Sequence, residues 1–165
     1  MTDDLDHVGR IQAQWARERP DLDTSAMAVV GRLHRLAAVL NEELRPVFAA
    51  AGLSDGDFDV LAALRRSGEP FELTPGALAE STMITSGTVT KRVDRLVAAG
   101  WVTRSVDSHD GRVRRIALTP AGRELVDRVV ADHFANEERL LATFSDAERR
   151  RLTQLLAQWA RALDA

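Results

Sequence analysis

The stretch at residues 85–119, TSGTVTKRVDRLVAAGWVTRSVDSHDGRVRRIALT, decides how the rest of this chain is read. Turning about 100° per residue from Val89 brings Val93, Leu96 and Val97 onto one apolar stripe, with Ser86 beside it, and that stripe must face a core. The opposite face carries Gly87, Thr88, Lys91 and Arg95, whose small, hydroxyl and cationic side chains suit close approach to phosphates and base edges. A solvated helix has much the same composition, so this face acquires meaning only from the residues after it. Ala99-Gly100 stops the helix with a residue that tolerates positive φ. Residues 101–106, WVTRSV, are rich in β-branched side chains and read as a strand. Residues 107–111, DSHDG, are turn chemistry, and residues 113–118 return as the second strand. Arg112, Arg114 and Arg115 then lie at or near the tip of a hairpin. A helix followed at once by a basic hairpin reads as a winged helix-turn-helix, a geometry that enters DNA.

Toward the N-terminus, Thr74-Pro75 supplies a cap and a proline at the first helical position, opening a short helix that ends near Ser81-Thr82. A brief turn at Met83-Ile84 then completes the helix-turn-helix spacing. Residues 71–73, FEL, leave room for a short strand. Residues 54–57, SDGD, resemble a capping box with Asp in place of the usual Glu. They open a helix over 55–66 whose apolar side is Phe58, Val60, Leu61 and Leu64, with Asp59, Ala63 and Arg66 pointing away. Before it, Asp23, Thr24 or Ser25 can cap a long helix running to about Ala50, with a stripe from Met27 to Val47 and Pro46 placed to kink or divide it. Leu5, Val8, Ile11 and Trp15 give residues 3–18 the spacing of a first amphipathic helix, ended by Arg19-Pro20.

Beyond the hairpin, Thr119-Pro120 starts another helix, and residues 145–148, SDAE, form a full capping box for the last one. Leu125, Val129 and Val130 on the former and Leu152, Leu155, Leu156, Trp159 and Leu163 on the latter are too apolar to stay in water. Packing these faces with the N-terminal helices across a two-fold axis would hide them, so a homodimer is expected. The expected architecture is mainly α: a winged helix-turn-helix domain with a two-stranded β-wing over 51–119, N-terminal helices over 1–50 for a ligand groove and dimerisation, and C-terminal dimerisation helices over 120–165.

The formal charge is −3, yet residues 85–123 hold eight cations against three acids, a net +5 that leaves −8 for the remainder. A local basic patch on an acidic body is what a polyanion-binding protein needs if it is also to stay in solution. The chain has no cysteine, which excludes disulfides, thiolate metal sites and thiol redox sensing within it. No apolar run reaches membrane-spanning length and the acidic start lacks the marks of a secretion signal, so the expected location is cytoplasmic. His7, His34, His109 and His133 are scattered without metal spacing, and no nucleophile motif or phosphate-cradling loop is present; no enzyme activity, metal or cofactor is expected.

The order of helices and wing resembles the MarR family of bacterial transcription regulators, and the signature is specific: residues 110–112, DGR, followed by 116–122, IALTPAG, approach that family's D-x-R…LT-x-x-G. The resemblance implies that Asp110 orients Arg112 into the minor groove, while Thr88, Lys91 and Arg95 meet the major groove and Ser86 or Thr90 bonds to phosphate. Arg114 belongs to the same DNA surface, and the order of Lys91 and Arg95 as base reader and phosphate contact stays open. Residues 11–23, IQAQWARERPDLD, narrow the resemblance to the urate-responsive, PecS-like branch. The signature of that branch falls on Trp15, Asp59, Arg92 and Arg104, which implies a binding site for urate or a similar small anionic aromatic. On this reading Arg104 holds the ligand, Trp15 covers it, and its charge disturbs an Asp59–Arg92 pair, shifting the recognition helix away from a pseudo-palindromic operator. Wheel geometry agrees to the extent that Arg92 lies on the flank between stripe and groove face, from which it can turn back toward the body of the protein. A repressor released by ligand is therefore expected, with a winged-helix architectural or protein-interaction module as the alternative.

Overall fold

The computed structural model describes residues 5–83, 86–106 and 113–163, the side chains of residues 86–88 excepted. The chain divides into two compact units, Met1–Glu43 and Leu44–Ala165.

In the first unit, α1 (His7–Glu18) begins where Asp6 accepts from the Gly9 amide at 2.8 Å. The same carboxylate takes both Nε and Nη2 of Arg32 at 2.8 Å each, which ties α1 to the first half of α2 (Ser25–Ala50). Val8, 3% exposed, packs where Gly31 leaves space for it. Asp23 accepts from the Ser25 amide at 2.8 Å, so of the three candidate residues it holds the start of α2. Pro46 does not divide α2, which runs through it to Ala50.

The second unit carries the core. α3 (Asp55–Arg66) supplies Val60, Leu61 and Leu64, all fully buried, each contributing about 1.5–3 kcal/mol of transfer free energy. Ala63 is also buried, at 1% exposure, contrary to its placement on an outward face: α3 is covered on more than one side because α4, α5 and α6 all pack against it. β1 (Glu72–Leu73) precedes α4 (Pro75–Ser81), whose cap Thr74 accepts from Ala77 N at 3.2 Å. α5 (Ser86–Ala98) turns Val89, Val93 and Leu96 into the core, whereas Val97, expected on the same stripe, is 39% exposed at its edge. Gly100, at φ 78°, lets the chain reverse, with Trp101 N reaching Leu96 O and Gly100 N reaching Val97 O at 3.0 Å each. β2 (Val102–Val106) and β3 (Arg114–Leu118) pair antiparallel as the two strands of the wing, and β1, from the residues left room for a short strand, joins the far side of β3, giving the order β1-β3-β2.

α6 (Pro120–Leu140) starts at Thr119, whose Oγ1 accepts from Gly122 N at 2.9 Å and donates to Gly100 O at 2.8 Å. Leu125, Val126 and Val129 then join the core, where α6 packs against α3 and β3. α7 (Asp146–Ala162) has the expected Ser145–Glu148 capping box and no buried residue. Among the described residues no helix is long and apolar enough to cross a membrane.

Candidate nucleic-acid interface

Burying Val89, Val93 and Leu96 leaves Thr90, Lys91, Asp94 and Arg95 of α5 exposed, the solvent face of a helix whose neighbours are α3, α4 and β2. Arg114 is exposed at the end of β3, opposite Val106. Thr90, Lys91, Arg95 and Arg114 are thus accessible, as a DNA-reading surface requires. Arg112 and Asp110 lie outside the described residues, as do the side chains of Ser86 and Thr88.

The ion pairs behind this surface differ from those expected. Asp59 does not hold Arg92; its Oδ2 accepts from the Met83 amide at 2.6 Å, at the turn between α4 and α5. Arg92 instead lies against the start of α3, its Nη1 donating to Ser54 Oγ at 2.9 Å and standing 4.0 Å from Asp57 Oδ1. Gly56 makes the approach possible, because a Cβ at that position would overlap the guanidinium. The physical reason is position along α3: Asp57 lies in the first turn, beside Ser54 and Gly56, whereas Asp59 faces the α4–α5 turn.

Asp57 also takes Arg95. Arg95 Nη2 donates to Asp57 Oδ2 and, at 2.8 Å, to Ser54 Oγ, while Nε donates to Asp57 Oδ1 at 3.2 Å. The Asp57 side chain is 3% exposed and the Arg95 side chain 58%, so the guanidinium lies between a buried carboxylate and solvent. Burial pushes the Asp57 carboxyl up, but hydrogen bonds from Arg95 and Ser54 outweigh it and hold the carboxyl below its ordinary value. The same hydrogen bond raises Arg95 further. The sequence marks Ser54 and Asp57 only as a helix cap; the overlooked signal is that Arg92 and Arg95, three apart, share one flank of α5 and call for an acid there.

On the other side of α5, Arg104 of β2 donates to Asp94 Oδ1 at 2.8 Å. β2 is therefore bound to α5 by a partner that the sequence did not single out. Trp15 belongs to the Met1–Glu43 unit, on α1, and is 45% exposed; Asp59, Arg92 and Arg104 belong to the other unit. Among the described residues no group of acids and histidines could hold a metal.

Residues 51–113 match the model of the MarR family. The chain is 41% identical over 151 residues to the HTH-type transcriptional regulator PecS of Dickeya dadantii (strain 3937), spanning 92% of this chain and 91% of the relative. Among solved structures, BpsR of Bordetella bronchiseptica, whose DNA binding is regulated by 6-hydroxynicotinic acid, is 28% identical with a TM-score of 0.69, covering 79% of this chain and 92% of that one. AbsC, a MarR family transcriptional regulator from Streptomyces coelicolor, shares the fold with a TM-score of 0.76 at 23% identity, over 87% of this chain and 97% of its own.

Proposed function

This chain belongs to the MarR family of transcriptional regulators, similar to PecS, and we propose that it is a repressor released from a pseudo-palindromic operator by urate or a similar planar anion. As a homodimer it would place two α5 helices in successive major grooves, about 34 Å apart. The observation that carries the ligand response is the Arg104–Asp94 pair. Arg104 already binds one carboxylate, and that carboxylate is part of the recognition helix, so an anion that takes Arg104 must compete with Asp94 and loosen β2 from α5. The anion regulating BpsR, 6-hydroxynicotinic acid, is of the same chemical class: aromatic, planar and acidic. Trp15 and Asp59 enter through the resemblance to the urate-responsive branch. Asp59 acts in this reading at the α4–α5 turn, where an added negative charge would strain its bond to Met83 N rather than a pair with Arg92.

An effector can shift the equilibrium only by binding the DNA-incompetent state more tightly, and couplings of about 1–3 kcal/mol, roughly 5- to 150-fold in affinity, are typical. Fluorescence-anisotropy titration of the protein onto the DNA upstream of its own gene, with and without urate, tests this. Urate is expected to weaken binding within that range, and Trp15→Phe or Asp59→Asn to blunt the effect. Unaltered release in both variants would sink the proposed switch, and release by xanthine-like compounds but not urate would replace the ligand while keeping the mechanism.

A further inference from the structure

The contacts of Arg95 determine what it can do on DNA. A guanidinium has five N–H donors, and the planar fork by which arginine reads guanine uses two of them, on different nitrogens, aimed at O6 and N7. Here Nε donates to Asp57 Oδ1, and Nη2 donates to both Asp57 Oδ2 and Ser54 Oγ. Three of the five donors are engaged, and the two that remain sit on one nitrogen, Nη1, which has no partner among the described residues. Nη1 alone cannot present that planar fork, but it suits a phosphate oxygen, whose lone pairs accept over a wide range of directions. Two guanidinium groups against one carboxylate leave the Ser54–Asp57–Arg92–Arg95 cluster with a charge of +1, so engagement with Asp57 does not cancel the attraction for phosphate.

We infer that Arg95 is a phosphate contact and that Asp57, through it, is a positioning residue for DNA binding. The capping box that starts α3 thereby also aims a side chain of the recognition helix. This rests on the DNA-binding role of α5, and on nothing about the effector.

The test uses the full chain as wild type, Arg95→Ala, Arg95→Lys, Asp57→Asn and the Asp57→Asn/Arg95→Ala double variant. Each is titrated onto the upstream duplex and onto a shuffled duplex of equal length between about 50 and about 300 mM KCl. Arg95→Ala, which removes an exposed side chain, is expected to weaken both duplexes by the same factor. It should also flatten the salt slope by about 0.9 per phosphate neutralised by Arg95, because counterion release from that phosphate no longer contributes. Arg95→Lys should restore most of the affinity and slope, since a point charge serves a phosphate but does not reproduce the planar arginine fork. Asp57→Asn should change DNA affinity by about threefold or more with Arg95 present and leave it unchanged in the Arg95→Ala background. The inference is overturned if Arg95→Ala spares the shuffled duplex and relaxes preference at one base pair, if Arg95→Lys behaves like Arg95→Ala, or if the Asp57→Asn effect persists without Arg95. Wild-type protein that binds neither duplex at low salt would overturn the DNA-binding role itself, whereas wild-type binding that ignores urate leaves this inference standing.

Discussion

Asp57 is the one buried ionisable side chain among the described residues, and its environment makes a claim about pH. The carboxyl lies below its ordinary value of 3.8 in the folded protein, so the unfolded chain binds its proton more readily. Stability from this group is therefore complete above about pH 5 and is lost as pH falls through the lowered folded value. Asp57→Asn should lower the unfolding free energy at pH 7 by about 1.5–3 kcal/mol, the range for hydrogen bonds to a charged group. The gap to wild type should close as the medium is acidified below about pH 4. Urea denaturation of both proteins at several pH values checks it, and a gap that stays constant down to pH 3 would assign the loss to packing. Asp59, two residues on, was legible as a functional candidate only through a family resemblance. Its partner was not legible, because which of two nearby acids meets an arginine on another helix depends on where α5 crosses α3.

At the scale of elements, most boundaries follow from local chemistry. Ser54, Thr74, Thr119 and Ser145 each cap the helix that their sequence context announces, since an N-cap bond is made within three residues and needs no tertiary partner. The close approach of α6 to the α5–β2 junction is different. A Cβ on Gly122 would collide with the carbonyl oxygen of Trp101, a backbone atom that cannot swing aside. Gly122→Ala is expected to cost about 1–3 kcal/mol, as overpacking does, and to lower the melting temperature by several degrees in a circular-dichroism melt. An unchanged melt would mean that α6 can slide. The third strand, β1, was legible only as residues with room to pair, because two residues have no periodicity of their own and take their conformation from β3.

At the scale of the molecule, each unit leaves apolar surface in water. Val29, Leu36 and Val39 of α2 are more than half exposed, and α7 exposes Leu152, Leu155 and Leu156 while burying nothing. Surface of that kind is what a second copy would cover, in keeping with the proposed homodimer. Sedimentation should find twice the 18.2 kDa chain mass for the wild type and a shift toward monomer for Leu155→Glu. The same variant should weaken operator binding by an order of magnitude or more, because two half-sites would no longer be held at one spacing. An unaltered mass would remove α7 from the interface.

The amino-acid sequence by itself determined the elements, their order and which face of α5 stays in solvent, since caps, turns and helical periodicity act over three or four residues. It also carried the family, through a wing motif contiguous in the chain. Only the tertiary structure decided which charges meet: Asp57 rather than Asp59 for Arg92, Asp57 again for Arg95, and Asp94 for Arg104. Those pairs join residues at sequence separations that differ widely, and an ion pair depends on a few ångströms of approach set by core packing. Helical phase places a side chain on a face, but only the packed core brings a particular carboxylate within reach of it.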